Sequence, residues 1–121
     1  FPIPKIQDLL LKLEGFQYEI DCLCEIGILH KVNRSAWAAP CFIIPKKDGT
    51  VRFITDFREL NKCIKCKPFP IPKIQDLLLK LEGFQYATSL DLNMGYYHIE
   101  LSPFSRELCT IVLPWGKYEY Q

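Results

Sequence analysis

The sequence predicts an α+β fold. Leucines at helical spacing occur in an 18-residue segment, FPIPKIQDLLLKLEGFQY, which stands at residues 1–18 and again at residues 69–86. Asp48-Gly49 joins two apolar runs, as in a β-hairpin, and further short apolar runs separated by turn residues follow residue 86. This order of helix, hairpin, helix and strands is typical of the α+β class. A length of 121 residues with 49 % apolar composition suits one compact domain.

Each copy of the repeated segment predicts one helix. Prolines at its second and fourth positions favour an extended lead-in, and Gly15 or Gly83 is expected to end the helix. Apolar residues of the second copy recur at i, i+3, i+4 and i+7 and predict a core-facing stripe: Ile74, Leu77, Leu78 and Leu81. No letter differs between the copies, whereas structural repeats hold only their core and turn positions. The identity indicates a recent duplication, recombination or assembly event rather than a requirement of the fold.

The segments after the first copy predict one more helix and several strands. A helical pattern continues from Glu19 to Ile28 until Gly27 interrupts it. The run CFIIPKKDGTVRFIT predicts two strands joined at residues 47–50. After the second helix, ATSLDL predicts a short, largely buried strand and NMGYY a turn. HIEL, LCTIVLP and KYEYQ predict further strands, the last two joined at Trp115-Gly116.

Composition excludes some classes of protein. No apolar run approaches the roughly 20 residues of a membrane span, and the first residues lack the apolar run of a secretory signal, so we expect an intracellular protein. Six cysteines stand at positions 22, 24, 41, 63, 66 and 109. Their spacing gives only one of the two C-x-x-C halves of a zinc ribbon, which favours free thiols over a metal site.

A basic zone lies inside a chain whose net charge is only +1. Residues 46–67 hold seven cations against three anions, which suits a phosphate-facing surface, although such a run is also typical of a solvated face. Lys46, Lys47 and Arg52 bracket the hairpin turn and could converge on one triphosphate. The alternative is a soluble strand edge, whose lysines discourage pairing with other edges.

Two features follow the second copy. Asp91 lies between Leu90 and Leu92 in the predicted buried strand, where a carboxylate must be paired, protonated or bound to a cation. Metal binding and capping of the following turn are equally compatible with it. Tyr96-Tyr97, directly after Gly95, could present an aromatic face to a sugar or base, or could belong to the core.

Two long motifs, PKKDGTVRFITDFRELNK and FPIPKIQDLLLKLEGFQYATSLDLNMGYYHIEL, resemble the reverse transcriptase of gypsy-class long-terminal-repeat retrotransposons. The resemblance covers nearly all of residues 19–121. It implies a partial right-hand polymerase fold, with a fingers-like region at residues 19–86 and the N-terminal part of the palm at residues 87–121. Residues 1–18 are then a duplicated helix segment outside the family pattern.

The resemblance also implies roles for individual residues. Lys46, Lys47 and Arg52 match the hairpin positions that neutralise the incoming triphosphate. Gly95-Tyr96 match the nucleotide-binding site, where Tyr96 matches the aromatic that lies under the sugar and discriminates against a 2′-hydroxyl. Asp56 and Arg58 match template-contacting positions. Asp91 matches the first catalytic aspartate of the palm, a ligand of two Mg²⁺ or Mn²⁺ ions, with the Leu92 carbonyl nearby. The implied partners are an RNA template, a DNA primer, deoxynucleoside triphosphates and the rest of a Pol polyprotein, with no membrane.

The chain departs from that family in one important respect. The palm hairpin of the family carries two adjacent aspartates, and no Asp-Asp pair occurs in these 121 residues. Two ions about 3.5 to 4 Å apart need several carboxylates to hold them. We therefore expect the isolated chain to be inactive as a polymerase.

Two alternatives remain at this stage. The chain could be a non-catalytic nucleic-acid-binding fragment, recognised by salt-sensitive RNA binding without a metal. It could instead be an interaction module that self-associates through its two identical leucine-rich helices. In each case we expect an intracellular location, in the cytoplasm or a virus-like particle.

Overall fold

The computed structural model describes the backbone of residues 6–121 and the side chains from Leu10 onwards. The predicted lead-in at Pro2 and Pro4 lies outside these residues. The regular elements are α1 (Ile6–Glu25), β1 (Leu29–Val32), β2 (Ala39–Pro45), β3 (Val51–Thr55), α2 (Arg58–Cys63), α3 (Ile74–Lys80), a 3₁₀ helix (Gly95–His98), α4 (Pro103–Leu108), β4 (Thr110–Leu113) and β5 (Gly116–Tyr120). None of the helices in this described part is long and apolar enough to cross a bilayer.

Five strands form one sheet in the order β1-β5-β4-β2-β3. Neighbouring strands are antiparallel except β2 and β4, which run parallel. The predicted hairpin is confirmed, because β2 and β3 pair from Cys41 opposite Thr55 to Pro45 opposite Val51. The turn is closed by the Lys46 amide, which donates to the Thr50 carbonyl at 2.7 Å. The predicted pair of strands around Trp115-Gly116 is also confirmed, as β4 and β5.

α1 packs across the sheet and forms the core with it. Phe16, Ile20 and Leu23 are buried at i, i+4 and i+7, which places them on one face of the helix. They pack in one cluster with Leu29, Ile111, Leu113 and Tyr118. The Phe16 ring lies 5.5 Å from that of Phe53 and 5.3 Å, edge to face, from that of Trp115.

The helix of the first copy does not end at Gly15, so the predicted helix end is wrong. α1 continues through Gly15 to Glu25. Glycine within a helix costs about 1 kcal/mol relative to alanine, which is less than the burial of the three apolar side chains that follow it contributes. The helix ends instead at Glu25, two residues before Gly27, the residue at which the second pattern was predicted to break. Gly27 has a φ of +80°, and the Ile28 amide donates to the Leu23 carbonyl at 2.9 Å, as in a Schellman motif.

The second copy is exposed, so its predicted core-facing stripe is wrong. α3 buries no residue, and every residue from 61 to 94 is exposed. Gly83 has a φ of +88° two residues after the C-cap Leu81, which fits the predicted helix end. The physical reason lies beyond the repeat. Phe16 is followed at i+4 and i+7 by Ile20 and Leu23, whereas Phe84 is followed there by Thr88 and Asp91.

Two predicted strands are absent from the segment after α3. Residues 87–92 form no strand, and both Leu90 and Leu92 are exposed. HIEL contributes to the end of the 3₁₀ helix and to irregular chain rather than to a strand. Apolar composition alone was a misleading signal here, because a strand needs a partner strand to satisfy its backbone groups.

Candidate functional site

The β2–β3 hairpin presents three cations. Lys46 and Lys47 begin the turn, and Arg52 lies on β3 opposite Ile44. All three side chains are exposed, and none forms an ion pair with another residue that the structure describes. We call these residues the hairpin cations. Their charges are therefore available to an anionic ligand.

Asp48, the anion of this hairpin, is engaged within the turn. Its Oδ1 atom accepts hydrogen bonds from the Thr50 hydroxyl at 2.6 Å and the Thr50 amide at 3.0 Å. These two bonds lower the pKa of the Asp48 carboxyl. Gly49 adopts a φ of +83°, which suits glycine, so the turn holds a fixed shape between the lysines and Arg52.

Asp56 and Arg58, the predicted template-contacting residues, pair with each other. Arg58 Nε donates to Asp56 Oδ1 at 2.9 Å and Nη2 donates to Oδ2 at 2.6 Å. The side-chain bonds from Arg58 lower the pKa of Asp56 to about 2. The Asp56 amide also donates to the Pro40 carbonyl at 2.9 Å, which fixes this pair beside β2. Arg58 thus presents a partly neutralised guanidinium.

Other ion pairs shape the basic zone. Lys62 pairs with Glu59 at 2.6 Å along α2. Of the seven cations in residues 46–67, five then form no ion pair within the described chain: Lys46, Lys47, Arg52, Lys65 and Lys67. The zone therefore keeps an excess of positive charge after its internal pairs are formed.

Asp91 is exposed, so its predicted burial in a strand is wrong. Across the described part of the chain, no three His, Cys, Asp or Glu side chains come close enough together to hold a metal ion. Asp91 and the Leu92 carbonyl alone do not fit a pair of Mg²⁺ or Mn²⁺ ions, which prefer several oxygen ligands. All six cysteines are free thiols in the structure.

The Gly95–His98 turn separates the two neighbouring tyrosines. Tyr96 is 91 % exposed, whereas Tyr97 is 37 % exposed and stacks on Tyr120 of β5, with ring centroids 6.3 Å apart and an interplanar angle of 23°. The turn is closed by the Tyr97 amide, which donates to the Met94 carbonyl at 2.9 Å, and His98 Nε2 lies 3.1 Å from the Asn93 carbonyl oxygen. Tyr96 is thus presented to solvent and Tyr97 is the anchor.

Sequence reasoning missed Tyr120. Its hydroxyl lies 2.9 Å from the Thr55 hydroxyl of β3, and its ring meets that of Phe57 at 6.0 Å. Burial raises the pKa of the Tyr120 phenol well above its ordinary value. Alternation in KYEYQ places Tyr118 and Tyr120 on the same face of β5. This two-residue alternation was the sequence signal that could have identified Tyr120, since Tyr118 on the same face is a core residue.

Comparison with known proteins identifies the family. The sequence model described as "Reverse transcriptase (RNA-dependent DNA polymerase)" matches residues 44–120. The chain belongs to the reverse transcriptase family. The Tf2-3 and Tf2-4 transposon polyproteins of Schizosaccharomyces pombe are each 32 % identical to it over 109 residues, 90 % of this chain. The chain spans only 8 % of the length of these polyproteins.

Solved structures agree with this assignment. Native prototype foamy virus protease-reverse transcriptase matches 99 % of this chain with a TM-score of 0.77 and 29 % identity, over 15 % of its own length. A foamy viral protease-reverse transcriptase in complex with double-stranded DNA matches 89 % of this chain with a TM-score of 0.70. At 20 % identity that second likeness shows the fold alone, and the match covers 22 % of that chain.

These findings confirm the predicted family and the α+β, partial polymerase fold. They also confirm the prediction of a segment of a retrotransposon reverse transcriptase. The gypsy class, the fingers and palm boundaries and the roles of individual residues stay predictions.

One further feature of this reverse transcriptase segment was not predicted. A polar cleft of about 350 Å³ is lined by Arg34, Ser35, Ala36, Glu107, Thr110 and Glu119. Lys117 Nζ donates to Ser35 Oγ at 3.4 Å beside it. Its lining comes from the loop after β1 and from α4, β4 and β5, so residues far apart in sequence form it. No local motif marks such a cleft.

Proposed function

We propose that this chain is the nucleotide- and template-handling segment of a retrotransposon reverse transcriptase of the gypsy class. The whole enzyme copies an RNA template into DNA from a primer, using deoxynucleoside triphosphates and divalent metal ions. In this segment, residues 19–86 act as fingers and residues 87–121 begin the palm. The proposal depends chiefly on one observation, the three exposed hairpin cations, Lys46, Lys47 and Arg52, on a turn of fixed shape.

The hairpin cations suit a triphosphate. Arg52 offers a planar donor fork, and the two lysines offer compact ammonium groups on the neighbouring strand end. All three lie in solvent, so each contributes a modest, salt-dependent attraction rather than a strong buried one. Arg58 is already paired with Asp56, so it orients a template phosphate by hydrogen bonding more than it attracts that phosphate by its charge.

The experiment measures binding of a fluorescent RNA–DNA hybrid and of a deoxynucleoside triphosphate over a range of salt concentrations. The test variant replaces Lys46, Lys47 and Arg52 by alanine. A charge-matched control replaces three other exposed cations, Lys12, Lys73 and Lys80. If each hairpin cation contacts one phosphate, the negative slope of log K against log salt should become shallower by roughly 2 to 3 in the test variant and by far less in the control. Equal slopes for the two variants would refute the assignment.

This chain alone does not polymerise DNA in our proposal. Its sequence holds no adjacent pair of aspartates, and in the described residues Asp91 belongs to no group of three His, Cys, Asp or Glu side chains that could hold a metal ion. Primer extension with Mg²⁺ or Mn²⁺ should therefore yield no product. Extension that vanished in Asp91→Asn would overturn this part of the proposal.

A second candidate function is self-association. Leu10, Leu11 and Leu13 of α1 are exposed, and so are their counterparts in the second copy, Leu78, Leu79 and Leu81. Exposed leucines in both copies favour association of chains. Sedimentation should show an oligomer whose fraction rises with protein concentration. That fraction should fall when the three leucines of α1 are replaced by glutamine. Phe16 is kept in this variant, because removing the whole segment would also remove a core residue.

The location follows from the family rather than from the fold. We infer that the segment acts inside the cell, in the cytoplasm or in a virus-like particle, as part of a Pol polyprotein. Fractionation of cells expressing the tagged polyprotein tests this, since recovery of the tag in the culture medium as free protein would contradict it.

A further inference from the structure

The side chain of Tyr120 joins two regions of the chain that carry predicted site residues. Its ring stacks on Tyr97, in the turn that presents Tyr96. Its hydroxyl lies 2.9 Å from that of Thr55, the last residue of β3, the strand that also carries Arg52. Tyr120 itself is held in β5 opposite Leu29, and its amide donates to the Cys109 carbonyl at 3.2 Å.

This contact matters because the turn has little other support. Every residue from 61 to 94 is exposed, so the chain reaches the turn without packing on the sheet. After the turn, the Leu101 amide donates to the Gln121 carbonyl at 2.7 Å. Arg106 Nε donates to the Leu101 carbonyl at 2.9 Å, which strengthens that second attachment. The turn is therefore held at Tyr97 and again at Leu101.

We propose that Tyr120 is a positioning residue that fixes the Tyr96 turn relative to β3 and so sets how well the chain distinguishes deoxyribose from ribose. The ring stack places Tyr97 and with it the preceding residue, while the Thr55 hydroxyl orients the Tyr120 ring. Arg52 and Thr55 are three residues apart on β3, about 10 Å along the strand, with side chains on opposite faces of the sheet. The proposal rests on the proposed function, in which Arg52 meets the triphosphate, and on the family resemblance, which implies that Tyr96 lies under the sugar.

The first measurement is hydrogen exchange at the Tyr97 amide, which is hydrogen bonded to the Met94 carbonyl. Tyr120→Leu removes the stack and the hydroxyl, and Tyr120→Phe removes the hydroxyl alone. An aromatic pair usually contributes enough to slow local opening by about 2- to 10-fold. Tyr120→Leu should lose that protection and Tyr120→Phe should keep most of it. Tyr86→Leu, at a tyrosine that is 90 % exposed, is the matched control and should change nothing.

Tyr97→Leu is a second test of the same contact. It removes the stack without changing a residue of the sheet, so it tests whether the stack holds the turn even if Tyr120→Leu fails to fold. Unchanged exchange at residues 97–99 in this variant would overturn the proposal, whatever the chain binds.

The second measurement compares the dissociation constants of ribo- and deoxyribonucleoside triphosphates with that of inorganic tripolyphosphate. Tyr97→Leu and Tyr120→Leu should bring the ratio of the ribo- to the deoxyribonucleotide dissociation constant to within about 2-fold of the ratio for Tyr96→Ala. Tyr120→Phe, which keeps the ring, should keep the wild-type ratio. Tripolyphosphate binding should not change. A loosened turn with an unchanged ratio would refute the positioning role. Failure of the wild-type chain to bind tripolyphosphate would instead refute the proposed function. The hydrogen-exchange result would still show whether Tyr120 holds the Tyr96 turn in place.

Discussion

The two copies of the repeated segment allow the same substitution to be made in the same local sequence and two different environments. Phe16 is 7 % exposed and touches Phe53 and Trp115, whereas Phe84, its counterpart, is 70 % exposed. Phe→Ala in a core costs about 3 to 5 kcal/mol, because burial is lost and a cavity remains. A surface substitution usually changes stability by less than about 0.5 kcal/mol. We therefore expect Phe16→Ala to remove a large part of a total stability of about 5 to 15 kcal/mol, and Phe84→Ala almost none.

The assay is urea denaturation followed by far-ultraviolet circular dichroism, with both variants and the wild type at one protein concentration. Phe16→Ala should lower the midpoint strongly at an unchanged denaturant slope. Phe16→Leu, which keeps most of the buried area, should fall between the wild type and Phe16→Ala. A difference of less than about 1 kcal/mol between Phe16→Ala and Phe84→Ala would refute the assignment of the first copy to the core and the second to the surface.

Three further predictions concern polar and titratable groups. Arg58 lowers the pKa of Asp56 to about 2, so the stability contributed by this carboxylate is present above its ordinary pKa of about 4 and is lost as the pH falls through about 2. Carbon NMR titration should show the low midpoint in the wild type and a return towards 4 in Arg58→Gln; a midpoint near 4 in the wild type would contradict the pair. Burial raises the pKa of Cys41 to about 11, so iodoacetamide at about pH 8 should modify exposed Cys63 and Cys66 first, as peptide mass spectrometry would show. Equal rates at the three cysteines would count against the buried position of Cys41. Arg106 donates to Leu101, Gln121 and Glu100 at 2.8 to 2.9 Å, so Arg106→Met should cost about 1 to 3 kcal/mol in thermal unfolding, and an unchanged transition would argue against this clamp.

Local signals predicted the elements whose partners are close in sequence. Asp48-Gly49 and Trp115-Gly116 each mark a turn between strands that then pair with each other. Gly27 marks the end of α1, because its positive φ suits glycine. In these places a short stretch contains both the turn residue and the segments that it separates, so the local sequence is enough to predict the turn.

The candidate site divides in the same way. The hairpin cations could be predicted, since they lie within one turn. The stack of Tyr97 on Tyr120 could not be predicted from local sequence, because the two residues meet only through the pairing of β5 with β1 and β4. The spacing of Asp56 and Arg58 permits an ion pair, but it does not say whether the two side chains face each other or a ligand.

The repeat shows why burial could not be predicted from the segment itself. Both copies hold the same leucines and the same phenylalanine, yet only one phenylalanine enters the core. The deciding residues stand outside the repeated letters, at the positions one and two helical turns further on. Ile20 and Leu23 extend the apolar face of the first copy onto the sheet, while Thr88 and Asp91 give the second copy no such continuation. Replacing Ile20 and Leu23 by Thr and Asp should therefore release Phe16 as well, although its own eighteen residues would be unchanged.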